Sequence, residues 1–216
     1  VFQLDSNKSS TIVSHLAERL RRDIIFGVLD PNTRLKIEDL RRTYGGSANS
    51  LREALTSLVS LGLVESADQR GFRVASMTEA DLRDVNRLRQ EIECLGLTWS
   101  LKSRSVEWEA NLIAAYHRLS AAEQAVEPHD LSTVMTWDEA NRLFHRALSE
   151  GGGSVRLLQI QERLYVQSAR FRLAQNAEKG DVNSRSVDEH KAILDAIMEK
   201  KGTDAVAILR RHIAWV

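Results

Sequence analysis

The sequence predicts a mainly α protein in two parts: a winged helix-turn-helix over residues 1–76 and a six-helix antiparallel bundle over residues 77–216. Three observations predict it. Ala, Leu, Arg and Glu are abundant in a chain of 216 residues with only two prolines, a composition that favours helix. Apolar residues recur at three- and four-residue spacing through most of the length. Between Ser47 and Ala75 that pattern breaks at a glycine and gives two short strand-like runs around a polar turn.

The elements follow in order. Ser9 and Ser10 can cap a helix over Thr11–Phe26, with Ile12, Leu16, Leu20 and Ile24 on its apolar face. Gly27–Asn32 contains an Asp-Pro pair and breaks it. Arg34–Ile37 reads as a short strand or turn, and Glu38–Tyr44 as a second short helix. Gly45 and Gly46 make the turn, and Ser47 caps a third helix on which Leu51, Leu55, Leu58 and Val59 face one way and Arg52 and Glu53 the other. Gly62 ends that helix, because a left-handed residue costs glycine least. Leu63–Glu65 and Phe72–Ala75 are strands around the turn Asp68–Gly71. A helix with an exposed arginine followed by a ribbon with an arginine at its tip has the shape of a DNA-binding module.

This region resembles the DNA-binding domain of the GntR family of bacterial transcription factors over residues 10–76. The match is carried by Leu51-Arg52-Glu53-Ala54-Leu55, Leu58, Gly62-Leu63-Val64 and Gly71-Phe72-Arg73-Val74. The family usually has an arginine where this chain has Ala48, and a proline where it has Ser50. The residues expected to face duplex are Ser47, Asn49, Ser50 and Arg52 at the start of the third helix, and Arg70 and Gly71 at the wing tip. Asn49 has the amide that reads adenine, and Arg52 suits a phosphate or a base edge.

Bulk properties narrow the classes. The lone cysteine, Cys94, excludes an internal disulfide framework and fits a reducing cytoplasm. No apolar run approaches a membrane span, and the N-terminus lacks a signal-peptide pattern, so a cytoplasmic protein is expected. Thirty basic residues balance thirty acidic ones, which argues against indiscriminate binding to nucleic acid. Specific binding then needs well-placed arginines and a homodimer to double the contacts.

Thr78-Glu79-Ala80-Asp81 is a capping sequence that opens the first bundle helix, Glu79–Leu101. Further helices are expected at Val106–Val126, Leu131–Ser149, Val155–Gln175, Val187–Lys200 and Thr203–Trp215, joined by short polar or glycine-rich breaks. Asn176–Arg185 is the least patterned run. The tryptophans Trp99, Trp108, Trp137 and Trp215 suit core or dimer packing.

Chemistry concentrates on four bundle residues. Asn141 and His145 lie one helical turn apart on one face. His190 and His212 stand at similar distances from the turn at Gly202, hence at similar height if the last two helices are antiparallel. Three imidazoles and one oxygen would then meet inside, a donor set for zinc, nickel and related ions. Asp138 is an alternative source of the oxygen or a supporting partner, although a solvated helix position is the plainer reading. His15, His117 and His129 have no such partners and read as surface or packing residues.

The second half is similar to the FCD ligand-binding domain of FadR-type GntR regulators, through Arg89 with Glu93, Phe144-His145, Glu189-His190 with Ile193, and Ala205 with His212. More loosely, Trp108–Ala110 and the run before Met77 are similar to the carbon-starvation-induced regulator branch. The resemblance implies a divalent metal, zinc or else nickel, held by Asn141, His145, His190 and His212, with a small carboxylate effector completing its shell. Asn141 stands where the family more often has aspartate. Arg89 is the leading partner for the effector carboxylate, followed by Arg170 and Arg172, of which one should face inward. Tyr165 could donate to the same ligand. The function so implied is a transcriptional regulator, a repressor, that binds double-stranded operator DNA as a homodimer and answers to an organic acid. The alternatives are a metal-dependent hydrolase, for which Glu189 is the only acid near the site in sequence, or a DNA-binding protein with a purely structural metal.

Overall fold

The computed structural model describes residues 5–67, 71–76, 78–127, 130–179 and 184–214. They form two compact units, Val1–Asp81 and Leu82–Val216. The first contains α1 (Asp5–Ile25), β1 (Arg34–Leu35), α2 (Ile37–Tyr44), α3 (Ala48–Ser60), β2 (Val64–Ala67) and β3 (Gly71–Val74). The helix expected from Thr11 starts earlier, so Ser9 and Ser10 are interior to α1 rather than its cap. Leu16, Leu20 and Ile24 are buried as the periodicity requires, whereas Ile12 is half exposed.

Core residues of α1 pack against Leu40 and Tyr44 of α2 and Leu51, Ala54, Leu55 and Leu58 of α3, all buried. The Tyr44 hydroxyl donates to Asp23 at 2.6 Å, and the Arg19 guanidinium lies 5.1 Å from the Tyr44 ring centroid, which fastens α2 to α1. Ser47 caps α3 as expected, its Oγ accepting from the Ser50 amide at 3.0 Å. Gly62 has φ +75°, a left-handed conformation open to glycine at little cost, and it releases the chain into the wing.

The wing is a three-stranded antiparallel sheet in the order β1-β3-β2. Arg34–Leu35, expected as a strand or turn, is a true strand, paired Arg34 with Arg73 and Leu35 with Phe72. Alternation sends Leu35, Val64 and Val74 inward and Arg34, Glu65 and Arg73 outward.

The second unit is the expected bundle of six helices among the described residues: α4 (Glu79–Ser103), α5 (Val106–Ala125), α6 (Leu131–Glu150), α7 (Val155–Lys179), α8 (Ser184–Met198) and α9 (Gly202–Ala214). The start of α4 is a reciprocal capping box: the Asp81 amide donates to Thr78 Oγ1 at 3.1 Å, and the Thr78 amide to Asp81 Oδ2 at 2.9 Å. Ser105 and Asp130 cap α5 and α6. Helix α7 runs past the expected end at Gln175 to Lys179, and α8 begins at Ser184, so much of the unpatterned run is helical.

Leu97, Leu112, Leu119, Phe144, Leu148, Ile193, Ile197, Leu209 and Ile213 fill the core. Trp108 ties α5 to α6 by donating from Nε1 to the Ala147 carbonyl at 2.8 Å. Trp137 is buried, Trp99 is partly exposed, and Trp215 lies outside the described residues. A Cβ at Gly96 would stand 2.3 Å from Ser149 Oγ. Glycine there lets α4 and α6 approach closely, and a turn earlier on each helix that approach brings Glu93 to His145.

Candidate functional site

The bundle brings the three expected histidines together. His145 on α6, His190 on α8 and His212 on α9 are all buried, and one ring nitrogen from each lies within 4.8 Å of the others. Ring centroids stand 4.5 Å apart for His190–His212, 5.2 Å for His145–His212 and 5.8 Å for His145–His190. Phe144 closes one side, its ring edge-on to His190 at 5.4 Å.

Each imidazole is held from behind by a carboxylate. His145 Nδ1 meets Glu93 at 2.6 Å, His190 Nδ1 meets Glu123 at 2.7 Å, and His212 Nδ1 meets Glu189 at 3.1 Å. A carboxylate accepts only, so a neutral ring facing it carries its proton on Nδ1 and a lone pair on Nε2. Burial pushes His145 down to about 4, against the pull of Glu93. Burial and the neighbouring His190 push His212 down to about 3. Both rings are therefore neutral at physiological pH. Burial would raise the Glu93 carboxyl, but Arg89 and His145 outweigh it and hold the group at about 2.

The inner nitrogens then pose a problem that a cation solves. His145 Nε2 and His212 Nε2 face each other at 3.3 Å. Two lone pairs repel at that distance unless a proton or metal ion lies between them. His190 Nε2 is buried with no hydrogen-bond partner, and so is Asn141 Oδ1. Asn141 directs its amide nitrogen to the Tyr165 hydroxyl at 2.8 Å, which leaves the oxygen to face elsewhere. Buried polar atoms are rarely left unpaired, and nitrogen with carbonyl oxygen is a donor set that borderline divalent ions accept. The residues present fit such an ion.

The expected effector residues lie in an ionic network beside the cluster. Arg89 is fully buried and donates from Nε to Glu93 at 2.8 Å and from Nη1 to Ser168 at 3.1 Å. Tyr165 lies between two guanidinium groups, Arg89 at 5.1 Å and Arg172 at 4.0 Å from its ring centroid. The arginine over Tyr165 is thus Arg172 rather than Arg170, although both are buried, against the expectation that only one faces inward. Ser168 accounts for this, since its Oγ also accepts from Arg172 at 2.6 Å. Asp138 is not a solvated position: it takes a hydrogen bond from Arg172 at 2.8 Å. Burial raises the Tyr165 phenol well above its ordinary range.

Sequence reasoning left Glu189 as the only nearby acid; Glu93 and Glu123 are nearer. Glu93 sits in the motif that carried the family match, but Glu123 gives no local signal. Burial pushes the Cys94 thiol up to about 11, which leaves it a packing residue. His15 and His117 are exposed, and His129 lies outside the described residues.

At the other end of the chain, Ser47, Asn49 and Arg52 are exposed on the first turns of α3, and Ser50 is half-buried. The Ser47 and Ser50 hydroxyls bond each other at 2.9 Å, which leaves Asn49 and Arg52 as the longer groups projecting there. Among the described residues no ion pair holds Arg52, neither with the adjacent Glu53 nor with the acids of α2. Gly71 is exposed at φ +81°, with no atom near where a Cβ would stand. Arg70 lies outside the described residues. Arg41 and Arg42 of α2, which sequence reasoning passed over, line an open depression with Glu38 and Gly46.

A winged helix with exposed polar groups on its third helix, and a separate helical bundle with a closed set of buried donors, together define a bacterial transcription regulator of two domains. The chain belongs to the GntR family: residues 12–74 match the model for bacterial regulatory proteins of the gntR family, and residues 84–214 match the FCD domain. It is 34% identical to BphR of Paraburkholderia xenovorans, an uncharacterised HTH-type transcriptional regulator, over 94% of this chain and 82% of that one. It is 33% identical to the HTH-type transcriptional repressor GlaR of Escherichia coli, over 90% and 89%. Its fold is similar to that of E. coli McbR/YncC, with TM-score 0.74 at 22% identity and 94% of each chain covered. A putative GntR regulator from Rhodococcus sp. RHA1 gives 0.72 at 22% identity, with 93% of each chain covered. Family and relatives are DNA-binding transcription regulators rather than enzymes, which removes the hydrolase alternative. No helix among the described residues is long and apolar enough to cross a membrane.

Proposed function

We propose that this regulator is a cytoplasmic repressor whose operator affinity is set by a small carboxylate bound at a divalent metal ion, zinc, in the bundle. His145, His190 and His212 would hold the ion through Nε2, and Asn141 through its oxygen. The observation that carries the reading is the set of buried donor atoms without partners at the cluster, His190 Nε2 and Asn141 Oδ1, beside the opposed nitrogens of His145 and His212. Bound there, the ion supplies a Lewis-acidic docking point for a carboxylate. Arg89 and Tyr165 would orient the anion, joined by Arg172, the member of the pair Arg170 and Arg172 that lies over the Tyr165 ring. The likeness to GlaR, itself a repressor, supports the direction of control.

At the DNA end, Arg52 and Asn49 would reach the major groove, with Ser47 and Ser50 fixing the start of the helix, and Arg70 and Gly71 would approach the minor groove. Two copies would place two winged helices on a pseudo-palindromic operator. Leu88, Leu95 and Trp99, exposed along one stripe of α4, suit an isologous contact between bundles. The effector must bind the DNA-competent and incompetent states with different affinity, since equal affinity shifts nothing.

Fluorescence anisotropy on upstream intergenic DNA, with zinc and a panel of mono- and dicarboxylic acids, tests the reading. A repressor of this kind loses DNA affinity with at least one acid, and the loss disappears in chelator. DNA affinity that answers to chelator alone, and to no acid, would instead mark a structural metal.

A further inference from the structure

Glu123 is a buried carboxylate that faces one of the clustered histidines. It sits on α5, a helix that supplies none of the metal donors, and its side chain is 2% exposed. Oε1 faces His190 Nδ1 at 2.7 Å, while Oε2 is buried without a hydrogen-bond partner. The other two ring-holding carboxylates have arginines: Glu93 pairs with Arg89, and Glu189 with Arg185. Among the described residues no lysine or arginine pairs with Glu123. A buried carboxylate with an empty oxygen is strongly unfavourable unless positive charge lies close by. A dication on the far side of the same ring would provide that charge. The donor set has the matching deficit: three imidazoles and the amide of Asn141 include no carboxylate.

We propose that Glu123 is a positioning residue of the metal centre, which holds the His190 ring through Nδ1–H and supplies from behind it the negative charge that Asn141 does not. The inference rests on the metal reading above. It also has a consequence that an ordinary structural role lacks. Because no lysine or arginine among the described residues offsets this buried carboxylate, whose Oε2 has no hydrogen-bond partner, replacing it with the amide leaves the metal-free protein at least as stable while weakening metal binding. Outer groups that hold a ligating histidine typically contribute 10- to 100-fold in affinity.

The test uses the full chain and zinc, with affinity read by competition against a chromogenic chelator, the ligand field by cobalt(II) absorption, and stability by melting in excess chelator. Four variants are compared with the wild type: His190→Gln, Glu123→Gln, Glu123→Leu, and Glu123→Gln with Asn141→Asp. Glu123→Gln keeps an acceptor for Nδ1–H and loses the charge, so zinc affinity falls about 10-fold. Glu123→Leu loses both and falls about 100-fold, with an altered cobalt spectrum. Glu123→Gln melts at or above the wild-type temperature in chelator, Glu123→Leu melts lower because the buried His190 Nδ1–H loses its acceptor, and Asn141→Asp restores affinity to Glu123→Gln. If wild type and His190→Gln bind zinc alike, the metal reading itself falls. If His190→Gln loses zinc but Glu123→Gln stays within twofold of wild type, only the role of Glu123 is overturned. A Glu123→Gln protein that melts lower in chelator, or that Asn141→Asp does not rescue, also overturns it.

Discussion

Replacing Arg89 with methionine removes the cation from a carboxylate that cannot reach water. Glu93 is 1% exposed and depends on Arg89 Nε at 2.8 Å and His145 Nδ1 at 2.6 Å. Its carboxyl is held at about 2, against an ordinary 4.5, although burial pushes the other way. At about 1.4 kcal/mol per pH unit, that depression corresponds to roughly 3 kcal/mol of stability at neutral pH. That figure is shared between Arg89 and His145 and is net of burial, while breaking a buried ion pair by losing one partner costs about 3–5 kcal/mol. The expected loss for Arg89→Met is about 3 kcal/mol. All four tryptophans lie at or beyond residue 99, so urea unfolding followed by tryptophan fluorescence reports the bundle alone. Chelator in every sample keeps metal binding out of the comparison.

The pH dependence gives a second handle on the same pair. A depressed carboxyl contributes stability that is fully present above its unfolded value of 4.5 and is lost as pH falls toward 2. The unfolded-state contribution is common to both proteins, so the gap between wild type and Arg89→Met should close as pH falls through the variant's own carboxyl, which burial without Arg89 raises, and onward toward the wild-type value of about 2. Arg89→Met combined with Glu93→Gln should recover most of the loss, since removing both partners leaves no stranded charge. A single-variant loss below about 1 kcal/mol, or a gap that does not narrow in acid, would show that Arg89 does not hold the Glu93 charge.

Other outcomes follow from the same structure. Zinc at a hundred times its dissociation constant should stabilise the chelated wild type by about 2.7 kcal/mol in a thermal-shift assay, and His190→Ala should abolish the gain. The metal-free bundle should weaken as pH drops from 6.5 toward 4, because His145 and His212 protonate more readily unfolded than at their buried values of about 4 and 3; urea midpoints across that range check it. Arg52→Ala should weaken operator binding and lower the slope of log affinity against log salt by about one, measured by anisotropy. Leu95→Glu, on the exposed stripe of α4, should shift sedimentation toward monomer while leaving the bundle's helical circular dichroism intact.

Much of this was legible in the chain itself. Leu16, Leu20, Leu51, Leu55 and Leu58 announced their helices by spacing, and Ser47 and Thr78 announced caps that depend only on neighbours in sequence. The convergence of His190 and His212 followed from a short turn and a constant rise per residue. The carboxylates behind the rings were harder to foresee. Glu93 and His145 are 52 residues apart and Glu123 and His190 are 67 apart, and no local pattern distinguishes an inward glutamate from a solvated one. The inward pair Arg170 and Arg172 misled for a related reason: helix geometry separates neighbours two apart, but a long side chain can curl back to Ser168 and cover Tyr165. Strand β1 was legible only as an option, because two residues become a strand through the partner they find.

The proposed metal donors lie on α6, α8 and α9, whereas Glu93, Glu123, Tyr165 and Arg172 come from α4, α5 and α7. Apart from Glu189 on α8, the groups that back and flank the cluster therefore stand on different rods from the donors. Drift in those groups can retune how firmly an ion is gripped, or which acid is welcomed, while every donor atom stays where it is. On the proposed function, a lineage of such regulators can diversify the acids it answers to without reinventing its chelate.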